Sequence, residues 1–377
     1  MMRYTILLSA LLLAAAESHA HDGHPASHKI KAQMGSSAAF DSHGTLWLVS
    51  RDDAGDEGYL VARKSKDNGK TWSSPAIISR EPVVASGDER PHIAFGQHDE
   101  VYVTYSSPLD KPWTSEVRFI RSEDGGLHFS APYTVHHDHQ TVTHGFASLA
   151  VDANGLVYVT WIDKRNPQNV AQYYAVSANA GQSFDADYKI ADHSCECCRS
   201  AIALGPGGHP ALMWRQVFAP NIRDHAIAEL TPDGKQVQIE RASFDNWAID
   251  ACPHQGPSLA FGDDGRRHQT WFTNDGIFYA SQNQDGTLTK PMRLGSEQAA
   301  YADVTASGQH VEAVWRQFDG KGSSVMAASS HDGGTTWQTR TLASTNGASD
   351  QPRLARKGAR IFLVWRTELN DVTTVQL

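Results

Sequence analysis

One pattern recurs along almost the whole chain. A short apolar stretch meets a Gly/Asp/Asn turn, and a second β-rich stretch then ends in an aromatic residue. Copies begin near Ala39, Ala94, Ala150, Ala203, Ala260, Thr305 and Ala355, at spacings of 55, 56, 53, 57, 45 and 50 residues. The turns include Asp152-Ala153-Asn154-Gly155, Gly205-Pro206-Gly207-Gly208 and Gly262-Asp263-Asp264-Gly265. Second stretches include Val157-Tyr158-Val159-Thr160-Trp161, Val311-Glu312-Ala313-Val314-Trp315 and Ile361-Phe362-Leu363-Val364-Trp365, with Tyr105, Trp214 and Trp271 in the same place elsewhere. Apolar alternation on both sides of a tight turn is a hairpin signal. Six copies are followed by a second, more polar hairpin, which makes four strands per unit. Four-stranded units repeating every ~50 residues are the blades of a β-propeller, where each sheet buries its faces against its neighbours around a ring. The seventh copy, residues 351–377, has room for three strands, and residues 28–33 are expected to supply the outer strand that closes the ring. The expectation is therefore an all-β, seven-bladed propeller over residues 36–377, with six blades if one weak copy is not a full blade.

The second hairpins carry a family likeness. Ser65-Lys66-Asp67-Asn68-Gly69-Lys70-Thr71-Trp72 and Ser330-His331-Asp332-Gly333-Gly334-Thr335-Thr336-Trp337 resemble the Asp-box (BNR) repeats of sialidase-like propellers. Weaker copies occupy 122–129 and 177–184, the latter with Asn179 in place of the Asp; Asp233-Gly234 and Asp285-Gly286 are remnants. The resemblance runs through most of the chain but concerns fold, because a box Asp ties its own turn together while the aromatic packs into the blade.

Composition narrows the function classes. The chain has 377 residues, 40% apolar and 20% charged, with a net charge of −9 that leaves 19 His uncounted. Such a balance argues against a general nucleic-acid or anionic-membrane binder. At the N-terminus, Arg3 precedes an apolar run over residues 6–16 and then Glu17-Ser18-His19-Ala20. That is the layout of a signal peptide with cleavage after Ala20 or Ala16, too short to span a bilayer. Residues 1–20 are read as a leader and 21–35 as a His-containing segment with the closing strand; the expected location is periplasmic or extracellular. If cleavage follows Ala20, His21 of His21-Asp22-Gly23-His24 offers Cu(II) its amine and imidazole, with His28 nearby; the alternative is a solvated tail.

In a four-stranded blade, the link entering the innermost strand and the link leaving the second strand lie on one face. The entry segments read Asp88-Glu89-Arg90-Pro91-His92, Thr143-His144-Gly145, Cys195-Glu196-Cys197-Cys198-Arg199, Cys252-Pro253-His254-Gln255, Tyr301-Ala302-Asp303 and Asp350-Gln351-Pro352-Arg353. Exit segments add Arg51, Arg165, Arg215, Arg316 and Arg366. All four Cys thus fall in two neighbouring entry segments. Two relaxed disulfides are not available: if Cys252 pairs with any of the others, the second bridge must close within four residues. Either one bridge forms and two thiols stay free, or the thiols serve a redox or covalent role, or they hold a metal. The reading adopted is a soft-metal site, copper in preference to zinc, with Cys195, Cys197, Cys198 and Cys252 as ligands and His254 and His144 as additions. In an extended segment Cys195 and Cys197 would chelate from the same side.

The sialidase resemblance implies a competing function, an exo-glycosidase or an Arg-lined binder of an anionic ligand. Sialidases hold a substrate carboxylate with three Arg and use a Tyr–Glu nucleophile pair and an acid Asp. Arg90 matches the first Arg of the family's Arg-Ile-Pro motif, although Pro91-His92 follows it here. On that reading Arg199, Arg316 and Arg353 compete for the other two positions, Tyr301 with Glu297 is the nucleophile pair, and Asp88 is the acid. A Tyr needs such a carboxylate neighbour because its ordinary pKa is near 10. A third class is a propeller that serves only as a protein-docking platform.

Overall fold

The computed structural model describes residues 34–52, 58–85, 88–166, 168–235 and 238–377. Within them the chain forms seven antiparallel sheets, six of four strands and one of three, each strand pairing with the next in sequence. The innermost strands are Ser36–Phe40, His92–Phe95, His144–Val151, Ala201–Leu204, Ser258–Phe261, Ala299–Ser307 and Arg353–Lys357. Each lies beside the next, and the ring closes where Arg353–Lys357 meets Ser36–Phe40. This is a seven-bladed β-propeller. Every repeat start read from the sequence falls on an innermost strand, so the six-bladed alternative is set aside. The expected closing strand at 28–33, like the leader, lies outside the described residues. No helix among the described residues is long and apolar enough to cross a membrane.

Six of the seven blades bury an aromatic near the end of the second strand; the corresponding strand of blade one, Leu46–Asp52, has none at that place. Trp161, Trp214, Trp271, Trp315 and Trp365, and Tyr105 in blade two, are all buried. Trp161 packs against Val117 and Phe119 of the preceding blade, and Trp214 against Tyr158 and Tyr174. A buried indole removes roughly 150–250 Å² from water, so each such ring contributes several kcal/mol to ring closure. Several of these indoles also pair their N–H: Trp161 donates to Asp163 at 2.8 Å, Trp214 to Gln216 at 2.7 Å and Trp271 to Asp245 at 2.7 Å.

The Ser-x-Asp hairpins share one bond pattern. Ser65 Oγ accepts from the Gly69 N–H at 2.7 Å and donates to Asp67, whose Oδ1 accepts from the Thr71 N–H at 2.9 Å. These bonds, those from Thr71 foremost, hold the Asp67 carboxyl down at about 2. The pattern repeats at Ser122/Asp124, Ser177/Asn179 and Ser330/Asp332. Asn179 serves because the turn needs only an acceptor oxygen at that place. Such turns join third to fourth strands, and so lie on the face opposite the entry segments.

Candidate metal centre and the adjoining cleft

Three of the four thiols converge on one point between blades three and four. Ser194 pairs with Gln216, its N–H donating to Val170 O at 2.8 Å, and the Cys195 N–H donates to Arg215 O at 2.9 Å. Beyond these anchors the chain turns at Glu196-Cys197, where an extended segment was expected. The difference matters, since an extended run would bring Cys195 and Cys197 together but send Cys198 away. The turn instead places the sulfurs 3.8 Å (Cys195–Cys197), 3.5 Å (Cys195–Cys198) and 3.9 Å (Cys197–Cys198) apart, with the residues 1%, 6% and 1% exposed. A point equidistant from all three lies about 2.2 Å from each sulfur, a metal–thiolate bond length. All four Cys are free thiols.

The surroundings favour a negative charge on Cys195. Arg223 Nη1 approaches Cys195 Sγ at 3.5 Å, and the Arg215 side chain is buried nearby. Hydrogen bonding with Cys197 and Cys198, and then the Arg215 charge, hold Cys195 well below the usual thiol range; Cys197 and Cys198 are pushed up by their bonding with Cys195.

Cys252 and His254 sit on the next entry segment, both exposed. Their ligand atoms and Cys197 Sγ all lie within 4.8 Å of one another, so Cys197 belongs to two groups at once. Glu196 bridges the same region, with Oε2 on Lys164 Nζ at 2.8 Å and Oε1 3.9 Å from Cys252 Sγ. Gly256 presses the two segments together: a Cβ there would stand 2.1 Å from Arg199 O.

His144 is in neither group. Its Nε2 is 2.8 Å from Asp138 Oδ2, and its ring stacks on His136 at 3.8 Å. A carboxylate six residues upstream has captured the imidazole inside its own blade joint. The proposed Tyr301–Glu297 pair does not form either. Glu297 is exposed, no hydrogen bond joins it to Tyr301 among the described residues, and Arg316 lies over the Tyr301 ring at 4.5 Å. Arg316 is thereby spent on Tyr301 and does not join Arg90 and Arg353.

Arg90, Arg199 and Arg353 do converge, around an axial channel of about 240 Å³ lined by the innermost strands. Arg199 Nη1 pairs with Asp88 at 2.9 Å, and Gln351 links Asp88, Arg90 and Arg353. Burial, then the Arg199 charge, lowers Arg90 to about 9, and burial lifts Asp350 to about 6. Above the channel opens a cleft of about 680 Å³ bordered by Asp88, Glu89, Trp113, Lys164, Cys197, Cys252, His254 and Tyr301. Trp113, 94% exposed, stands on its rim, and burial raises the Glu89 carboxyl. The sequence reading missed Trp113 and Arg223; a Trp in a polar exit link, Lys111-Pro112-Trp113-Thr114, was the available signal for the first.

Fold and site together define a seven-bladed β-propeller with a thiol cluster at the mouth of its entry-face cleft. Solved structures with this fold include the polysaccharide lyase Uly1 (8% identity, 92% of this chain and 90% of that one, TM-score 0.61). Others are the α-L-arabinofuranosidase Arb93A of Fusarium graminearum (12%, 82% and 92%, 0.53) and YCF48 bound to a D1 peptide (14%, 91% and 91%, 0.55). No family model matches the chain, and no curated protein matches it in sequence. At such identities the likeness is one of fold, and these three proteins show how differently the fold is used.

Proposed function

We propose that the protein is an exported propeller that binds copper(I) through Cys195, Cys197 and Cys198. The observation that carries this reading is the sulfur triangle. An ion in its plane has three bonds of about 2.2 Å, whereas structural zinc is almost always four-coordinate and needs a fourth donor. Among the described residues that group has three members, and the charged neighbour at 3.5 Å is Arg223, which has no lone pair to give. Thiolates select soft ions, and three of them around a monovalent cation leave a net charge of −2 that Arg223 and Arg215 offset. The leader-like residues 1–20 support export. Metal analysis with a free-thiol count on the purified mature protein tests the reading. One or more equivalents of copper, lost in Cys195→Ser/Cys197→Ser with the fold intact, is the expected result; no copper after reconstitution under reducing conditions overturns it.

A second reading, a glycan ligand in the cleft, is favoured by the exposed Trp113 ring on the cleft rim. Aromatic faces stack on sugar rings, and polysaccharide-active proteins share the fold. Affinity electrophoresis through gels containing uronate or neutral polysaccharides tests it, with unretarded migration in every gel as the failing result.

A further inference from the structure

We infer that Cys197, Cys252 and His254 form a second, solvent-facing station for the same soft cation, and that the ion enters and leaves the buried triad through it. This rests on the copper reading above. The two stations share the Cys197 sulfur. Of the triad's members, only Cys197 lines the open cleft, together with Cys252 and His254. Cys195 and Cys198 are sealed behind it, so an ion reaching the triad must pass the Cys197 side.

The chemistry of such a passage is simple ligand exchange. The outer group keeps two soft sulfurs on the ion, and its imidazole is a donor that also suits copper, so the ion stays among copper-binding ligands along the way. As it moves inward, bonds to Cys195 and Cys198 form while those to Cys252 and His254 break, and the Cys197 bond persists throughout. The ion stays copper(I). Each thiol that takes it up releases its proton to solvent, and each thiol left behind regains one. The Glu196 carboxylate, 3.9 Å from Cys252 Sγ, adds negative charge beside the outer station.

The spacing is held from behind. Gly256 lies against the Arg199 backbone, which fixes the Cys252 segment beside the Cys197 segment without either contributing a helix. A site assembled by one close backbone contact between two blades is rigid enough to present three donors at once.

The test uses the full mature chain and Cys252→Ser/His254→Ala, both reduced and anaerobic. Copper(I) is titrated in, then withdrawn by excess bathocuproine disulfonate in a stopped-flow instrument. The wild type is expected to take two equivalents and the variant one, with extraction of the remaining ion slowed at least tenfold and its affinity changed less than threefold. Because Cys252 and His254 are exposed, near-UV circular dichroism is expected to be unchanged, and Cys252→Ala and His254→Gln alone serve if the double variant misfolds. Equal stoichiometry and equal extraction rates in wild type and variants overturn the second station while leaving the triad intact. Failure of the triad itself reads differently: neither protein then binds copper(I) at all.

Discussion

Replacing Gly256 by Ala tests the joint between the two entry segments. The new Cβ would stand 2.1 Å from Arg199 O and 2.4 Å from Arg199 Cγ, while ordinary contact begins at 3.4 Å. The segments must therefore separate by about 1.3 Å, and because the closest atom is backbone, no side-chain rotation relieves it. Overpacking of this kind destabilises by about 1–3 kcal/mol, and with m near 3 kcal/mol per molar urea the midpoint falls by about 0.3–1 M. The displacement acts two residues from His254 and four from Cys252; Arg199 on the other side follows Cys198, but the triad is held at its start by the Ser194 N–H on Val170 O and the Cys195 N–H on Arg215 O, while Cys252 and His254 are exposed. Gly256→Ala is thus expected to keep the copper(I) ion of the triad and lose the second equivalent. Tryptophan-monitored urea unfolding and anaerobic titration measure the two effects. A midpoint within 0.1 M of wild type together with unaltered stoichiometry would refute the packing described here and its link to the outer station.

Four further expectations follow from other contacts. Arg223→Met removes the cation beside Cys195 and should weaken copper(I) binding about tenfold, or ~1.4 kcal/mol, in a chelator competition; unchanged affinity denies Arg223 an electrostatic role. Burial lowers His268 to about 4, below its unfolded value of 6.5, so it stabilises the fold above pH 6.5 and that contribution drains away as pH falls toward 4. Replacing it with Gln should therefore remove up to ~1.4 kcal/mol per pH unit of slope across that window, measured as urea midpoint against pH; an identical slope contradicts this. Trp214→Ala opens a cavity between blades three and four and should destabilise by about 3–5 kcal/mol on the same assay. Trp113→Ala, on the surface, should leave the midpoint unmoved yet abolish any retardation in polysaccharide gels; retained retardation would place glycan binding elsewhere.

The ring was legible because its determinants repeat. A hairpin and a terminal aromatic are local features, the first present in all seven copies and the second in six, so even blade one, which lacks the aromatic, keeps its place. The site was legible only as far as chain proximity carries. Three thiols within four residues had to be near one another, but that all three sulfurs meet depends on a turn at Glu196-Cys197 that no residue type demands. His144 illustrates the opposite case. Its partner Asp138 lies in the same link, yet an Asp near a His in a loop is too common to distinguish from exposure. Arg316 and Tyr301 have different roles in the sequence reading, and the cation–π contact that joins them is not written in either residue type. Contacts across blades, such as Gly256 on Arg199, need the closed ring before they exist.

The sulfur triad is written into four consecutive residues, so little more than one turn is needed to assemble it, and loop closure so short is cheap. A denatured chain carries the same donors and would compete for the ion with the native state. Binding to the unfolded chain subtracts from what the ion adds to the native state, so an ion at the triad would raise the melting temperature by less than its native affinity alone implies. The outer set draws on two blades and is present only once the ring has closed. On the copper reading, an ion at the inner position would be a passenger of the chain and one at the outer position a clasp on the fold, so at equal native affinity the outer ion should give the larger thermal shift.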